Sequence, residues 1–143
     1  MTPILIASDH GGFELKQQMI DYLRTKGFAT EDLGTYSADS CDYPDIAAPL
    51  CQRILNGDAK FGILICGTGI GISIAANRHK GIRAAILYDD EVARLTREHN
   101  NANIAVFGGR TMSAEDACRR MDIFLSTAFA GGRHLRRIEK LDK

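Results

Sequence analysis

Short runs, several of them apolar along their whole length, alternate with longer stretches whose apolar positions recur every three or four residues. Five runs read as strands: ILIAS at 4–8, FATEDL at 28–33, FGILIC at 61–66, GIRAAIL at 81–87 and ANIAVFG at 102–108. Between and after them the spacing predicts helices over 12–26, 43–56, 70–78, 89–98 and 113–129. Strands apolar on both faces need cover on both sides, which a parallel sheet between two helical layers provides. The expected fold is therefore α/β, a Rossmann-like three-layer sandwich around a five-stranded parallel sheet. The basic stretch NRHK followed by Gly81 is a helix stop ahead of the fourth strand.

The last stretch, GGRHLRRIEKLDK, is different in kind. Leu135, Ile138 and Leu141 recur at spacing three, while basic residues occupy 133, 136, 137 and 140. This predicts an additional C-terminal helix, introduced by a glycine pair, whose apolar stripe packs on the domain or on a second copy. Arg133 and Arg137, four residues apart, share a face and form a candidate clamp for phosphate.

The chain has 143 residues, 45% of them hydrophobic, which suits one domain over 1–143 with a sizeable core. Eighteen basic residues balance eighteen acidic ones. That balance removes the charge footprint expected of a nucleic-acid or anionic-membrane partner, so any anion is bound locally. Cys41, Cys51, Cys66 and Cys118 form no CxxC pair and no metal-ligand spacing, and they read as reduced thiols of a cytoplasmic protein. The apolar start is too short for a membrane span and lacks a basic leader.

In an open parallel sheet, ligands collect beyond the carboxyl ends of the strands, where helix N-termini present free N–H groups. The first predicted strand ends in Ser8-Asp9-His10-Gly11-Gly12 and the third in Cys66-Gly67-Thr68-Gly69-Ile70-Gly71. With these two strands as near neighbours, Asp9, His10, Cys66 and Thr68 surround one crevice. Glycines at 67, 69 and 71 make either a cradle for an anionic oxygen or simply a tight strand-to-helix turn. A dinucleotide fingerprint is the nearest competitor, and Asp89 falls near the place of a ribose-binding acid. Its third glycine, however, would fall on Ile72. Cys66 is either a small buried hydrophobe or, facing a helix start whose dipole favours thiolate, a base or nucleophile. Asp9 reads equally as a helix cap, and His10 and His99 as polar residues at helix boundaries. No histidine spacing indicates a metal, and none is expected.

The ordered set SDHGG, DLGTY, DYPD, ILICGTGIGISIAAN, GIRAA, REHNNANI, FGGR and GGRH spans nearly the whole chain. With it the chain resembles the ribose-5-phosphate isomerase B family, which also includes the galactose-6-phosphate isomerase subunits. The resemblance implies interconversion of ribose 5-phosphate and ribulose 5-phosphate through an enediolate, without metal or cofactor. It also implies a homodimer or tetramer with active sites shared between subunits. By the same resemblance Cys66 is the proton-abstracting base, Thr68 assists at a substrate hydroxyl, and the backbone N–H groups of Gly67, Thr68, Gly69, Ile70 and Gly71 hold the enediolate oxygen. His99 is the acid that opens the furanose ring, with Asp9 its partner. His10, Asn100, Arg110, Arg133 and Arg137 contact the substrate, the arginines chiefly at phosphate, and His99 and Asn100 reach in from the neighbouring subunit. One branch of the family uses a glutamate at the place of Ile72, so this chain groups with the cysteine users. The arginine-bearing GGRH ending favours a five-carbon sugar. A six-carbon substrate such as allose 6-phosphate or galactose 6-phosphate, and a non-catalytic sensor, are the alternatives.

Overall fold

The computed structural model describes residues 2–143. The apolar runs form β1 (Ile4–Ser8), β3 (Gly62–Cys66) and β5 (Ile104–Gly108), buried along their whole length. Two shorter, half-buried strands, β2 (Thr30–Asp32) and β4 (Ala84–Ile86), close the edges. All five run parallel in the order β2-β1-β3-β5-β4, so β1 and β3 are neighbours. The helices are α1 (Phe13–Thr25), α2 (Tyr43–Leu55), α3 (Ile70–Asn77), α4 (Asp90–Glu98), α5 (Ala114–Ser126) and α6 (Arg133–Glu139).

Alternate residues of each central strand feed opposite layers, which is why both registers of those strands are apolar. Ile6, Ile65 and Phe107 meet Met19 of α1 together with Met121 and Phe124 of α5. Leu5, Leu64 and Val106 face the other way, onto Leu50 and Cys51 of α2 and Ile72 of α3. The expected three-layer, Rossmann-like sandwich is the observed one.

The edge strands are shorter than their predicted bounds. β2 keeps only Thr30–Asp32, within which Glu31 pairs with Arg53 at 2.7 Å and Asp32 with Lys16 at 2.6 Å. β4 starts only at Ala84, where asparagine side chains take the backbone N–H groups: Arg83 N–H donates to Asn103 Oδ1 and Ala84 N–H to Asn77 Oδ1, both at 2.8 Å. α5 ends at Ser126 rather than 129; Thr127 turns to extended backbone and its hydroxyl donates back to Ile123 O. α6 forms as expected, yet it buries none of its own residues, and Leu135 and Leu141 stay exposed. No residue of its apolar stripe is fully covered by its own domain.

Lys16 is fully buried, and sequence reasoning passed over it. Its ammonium donates to Asp32 Oδ1 and, at 2.7 Å, to Thr35 O, tying α1 to the chain that leaves β2. Removing one member of such a pair strands the other. Lys16→Met is expected to cost about 3 kcal/mol in urea unfolding, with a lower midpoint at unchanged slope.

Candidate active site

Three loops leave the carboxyl ends of β1, β3 and β5 and knit together through their backbones. Asp9 N–H donates to Ile65 O at 3.1 Å, Gly109 N–H to Cys66 O at 2.8 Å, and Arg110 N–H to Gly67 O at 2.9 Å. A Cβ on Gly109 would lie 2.4 Å from Gly11 O, so the first and third loops approach closer than any side chain allows. Asp9 turns its loop by accepting the Gly11 N–H at 2.9 Å, as the capping alternative expected, and is buried. His10 Nδ1 accepts the Cys41 N–H at 3.2 Å, which leaves Nε2 as the ring's donor.

Cys66 is the last residue of β3 and is 5% exposed. Its Sγ accepts the Gly69 N–H at 3.2 Å. Gly69, at φ 82°, caps α3 in the left-handed region and offers no side-chain cap, so the Gly71 N–H of the first turn stays available. Thr68 is exposed, and its Oγ1 accepts the Ile70 N–H at 3.2 Å. The Arg110 guanidinium lies over Gly67, where a Cβ would meet it at 3.3 Å. Asp9, His10, Cys66, Thr68 and Arg110 thus come together with the glycine turn on one edge of the sheet. By contrast, burial pushes the Cys51 thiol up to about 11 and the Cys118 thiol upward as well, which keeps both protonated as packing groups.

His99, Asn100, Arg133 and Arg137 lie at the other end. His99 caps the C-terminus of α4, and the chain then enters β5 from the amino edge, where Gly62 N–H donates to Asn103 O at 3.0 Å. Strand β3 separates that edge from Cys66 by roughly 13 Å. The turn itself is stiff. Asn101 adopts φ 47°, Arg83 holds the carbonyls of Asn100 and Asn101, and buried Arg97 donates to Asn101 Oδ1 at 2.8 Å and Ala102 O at 2.7 Å. Arg110, Arg133 and Arg137 have no ion-pair partner among the described residues. The residues predicted for one site therefore fall into two groups on opposite ends of the sheet.

Sequence reasoning missed Tyr43, although DYPD was among its motifs. A Cβ on Gly71 would stand 2.7 Å from the Tyr43 ring, so this phenol overhangs the first turn of α3. Asp89, weighed as a ribose-binding acid, instead caps α4 by accepting the Val92 N–H at 2.7 Å.

Fold and site define a Rossmann-like α/β protein with a buried thiol beside a glycine-rich turn at the carboxyl edge of its sheet. The family described as Ribose/Galactose Isomerase matches residues 4–141, and the chain belongs to it. Ribose-5-phosphate isomerase B of Escherichia coli is 40% identical over 141 residues, covering 99% of this chain and 95% of that protein. A ribose 5-phosphate isomerase crystal structure from Thermotoga maritima superposes with a TM-score of 0.97 at 57% identity, covering 99% of this chain and 97% of its own. The Mycoplasma genitalium ribose-5-phosphate isomerase B with bound ribulose-5-phosphate gives 0.93 at 42% identity, covering 98% and 93%.

Because the loops meet backbone to backbone, Gly109→Ala has to push the first and third loops apart. It is expected to cost about 2 kcal/mol, read as a lower urea midpoint, and to lower activity in the folded fraction.

Proposed function

We propose that the chain interconverts ribose 5-phosphate and ribulose 5-phosphate, with Cys66 as the proton-transferring base. The observation that carries this is the Cys66 sulfur at the end of β3, accepting the Gly69 N–H at the start of α3, in a member of this family. Relatives that superpose on the full chain are ribose 5-phosphate isomerases, one of them with ribulose-5-phosphate bound.

A proton next to a carbonyl is weakly acidic, so its removal needs a positioned base and a site for the developing charge. Cys66 takes the proton from C2 of the open-chain aldose, the C2–H electrons form the enediol double bond, and the charge moves to O1 beside the glycine turn. Among the described residues the N–H groups of Gly67, Thr68 and Gly71 have no other partner, and those of Gly69 and Ile70 are shared with Cys66 Sγ and Thr68 Oγ1. Return of the proton to C1, with transfer of the hydroxyl proton from O2 to O1 assisted by Thr68, yields the ketose. His99, with Asp9 as its partner, opens the furanose ring first. His10, Asn100, Arg110, Arg133 and Arg137 hold the substrate, and guanidinium groups grip the phosphate. Phosphate fixed at one end converts binding into orientation over the sulfur.

Read as half-sites, the two groups of residues support an assembly in which a second copy completes each crevice. A two-fold axis perpendicular to the strands inverts one sheet against the other, bringing the amino edge of one chain to the carboxyl edge of its partner. Apolar residues beside edge strand β4 favour this pairing. Ile70, Ile74 and Tyr88 are more than half exposed, and a groove of about 580 Å³ runs past Ser73, Ala84, Ile86 and His99. We infer a homodimer, or a tetramer built from such dimers. A working thiol base fits the reducing cytoplasm, where it stays unoxidised.

In the presence of chelator, wild type is expected to convert ribose 5-phosphate to ribulose 5-phosphate, and Cys66→Ala to lose about a thousandfold in kcat while still binding sugar phosphate. No turnover by folded wild type would shift the assignment to six-carbon phosphates or a sensor. Mixing inactive Cys66→Ala with inactive His99→Asn after subunit exchange is expected to restore about a quarter of wild-type activity, because half the dimers then carry one intact composite site. Failure to restore any, with exchange verified, would refute a shared site.

A further inference from the structure

His134 takes no part in the roles given so far, yet it is the residue of α6 that meets the candidate acid. Its ring stacks on His99 with centroids 4.3 Å apart and planes 14° from parallel. The backbone beneath His99 is fixed by its N–H bond to Leu95 O at 2.8 Å and by the Arg83 contacts that follow. Its imidazole is held far less. The nearest carboxylate oxygen, Glu98 Oε1, is 3.8 Å from Nε2, beyond hydrogen-bond length. A flat ring laid face to face on another removes rotation about the side-chain bonds without taking up either nitrogen, which leaves both free to work on a substrate.

The position of α6 gives the stack its reach. The helix buries no residue of its own and is tethered at its two ends: Ala130 N–H donates to Glu98 O at 2.9 Å, and Asp142 Oδ2 accepts the Gly81 N–H at 3.0 Å. Arg133 and Arg137, the proposed phosphate contacts, flank His134 on this helix. Burial and the charges of His99, Arg133 and Arg137, opposed by Glu98, hold His134 below the usual histidine pKa.

We propose that His134 is a positioning residue: it holds the His99 ring in the orientation that ring opening requires and couples that orientation to the helix that grips the phosphate. This rests on the assignment of His99 as the ring-opening acid. The discriminating substrate is an aldose 5-phosphate lacking the 4-hydroxyl, which cannot close a furanose ring and needs no opening.

The experiment compares His134→Ala, His134→Phe and His99→Asn on ribose 5-phosphate and on this acyclic analogue. His134→Ala is expected to lose about tenfold in kcat on ribose 5-phosphate with KM little changed, and to match wild type on the analogue. His134→Phe keeps a flat ring against His99 and is expected to recover most of the loss. Equal losses on both substrates, full activity of His134→Ala on ribose 5-phosphate, or a His134→Phe protein as slow as His134→Ala would each overturn the proposal. If His99→Asn shows no selective loss on the ring-closed sugar, the acid assignment itself fails. If it shows that loss and His134→Ala does not, only the positioning role falls.

Discussion

Everything at the carboxyl edge depends on three backbone segments occupying a space that side chains would fill. Gly11, Gly67 and Gly109 belong to the loops after β1, β3 and β5, and at Gly11 and Gly109 a single added carbon would collide with the neighbouring main chain. Direct backbone hydrogen bonds between loops become possible only at that distance, and they fix where β3 ends relative to its neighbours. Cys66 is positioned by this contact together with its packing in the core. Its sulfur meets the Gly69 N–H because Gly69 adopts a left-handed conformation that turns strand into helix within three residues.

The amino edge is built on a different principle. There, among the described residues, no glycine brings one main chain against another, and arginines hold the backbone instead. Buried Arg97 lies between the rings of Phe61 and Phe124, 4.8 and 5.5 Å from their centroids, and spends its donors on the turn that follows His99. Arg83 holds the same turn from the β4 side. Planar guanidinium groups with several donors can satisfy a turn's carbonyls from a distance, which a tight glycine contact cannot. The result is a stiff turn presenting an exposed Asn100 and a half-exposed His99 to whatever lies outside the chain.

Much of this was legible before any coordinates. Strands buried on both faces are apolar at successive positions, so β1, β3 and β5 fell within one or two residues of their predicted bounds. The crevice of Asp9, His10, Cys66 and Thr68 followed from strand ends alone, once β1 and β3 were taken as neighbours. What escaped was whatever depends on contacts distant in sequence. Lys16 sits on an amphipathic helix where a lysine is ordinarily solvated, and only the partner Asp32 on another element makes it a core residue. Tyr43 carries no local signal that it leans over Gly71. The periodicity of α6 foretold a helix correctly but could not tell which body its apolar stripe would meet.

That open stripe and the separation of the half-sites have one common consequence. A five-residue strand keeps His99 and Cys66 apart in any single chain, since bringing them together would require dismantling the central sheet. Sheets are stiff and close-packed, and a lid motion of that size is not available to them. Apposition of two copies in inverted orientation solves the problem without moving any element. It also offers a covered place to Ile70, Ile74 and Tyr88, which a lone chain leaves in water. Under that proposed arrangement the rigid glycine edge of one subunit supplies the proposed base and the arginine-braced turn of the other the proposed acid. Catalytic competence is then a property of the assembled interface rather than of either chain.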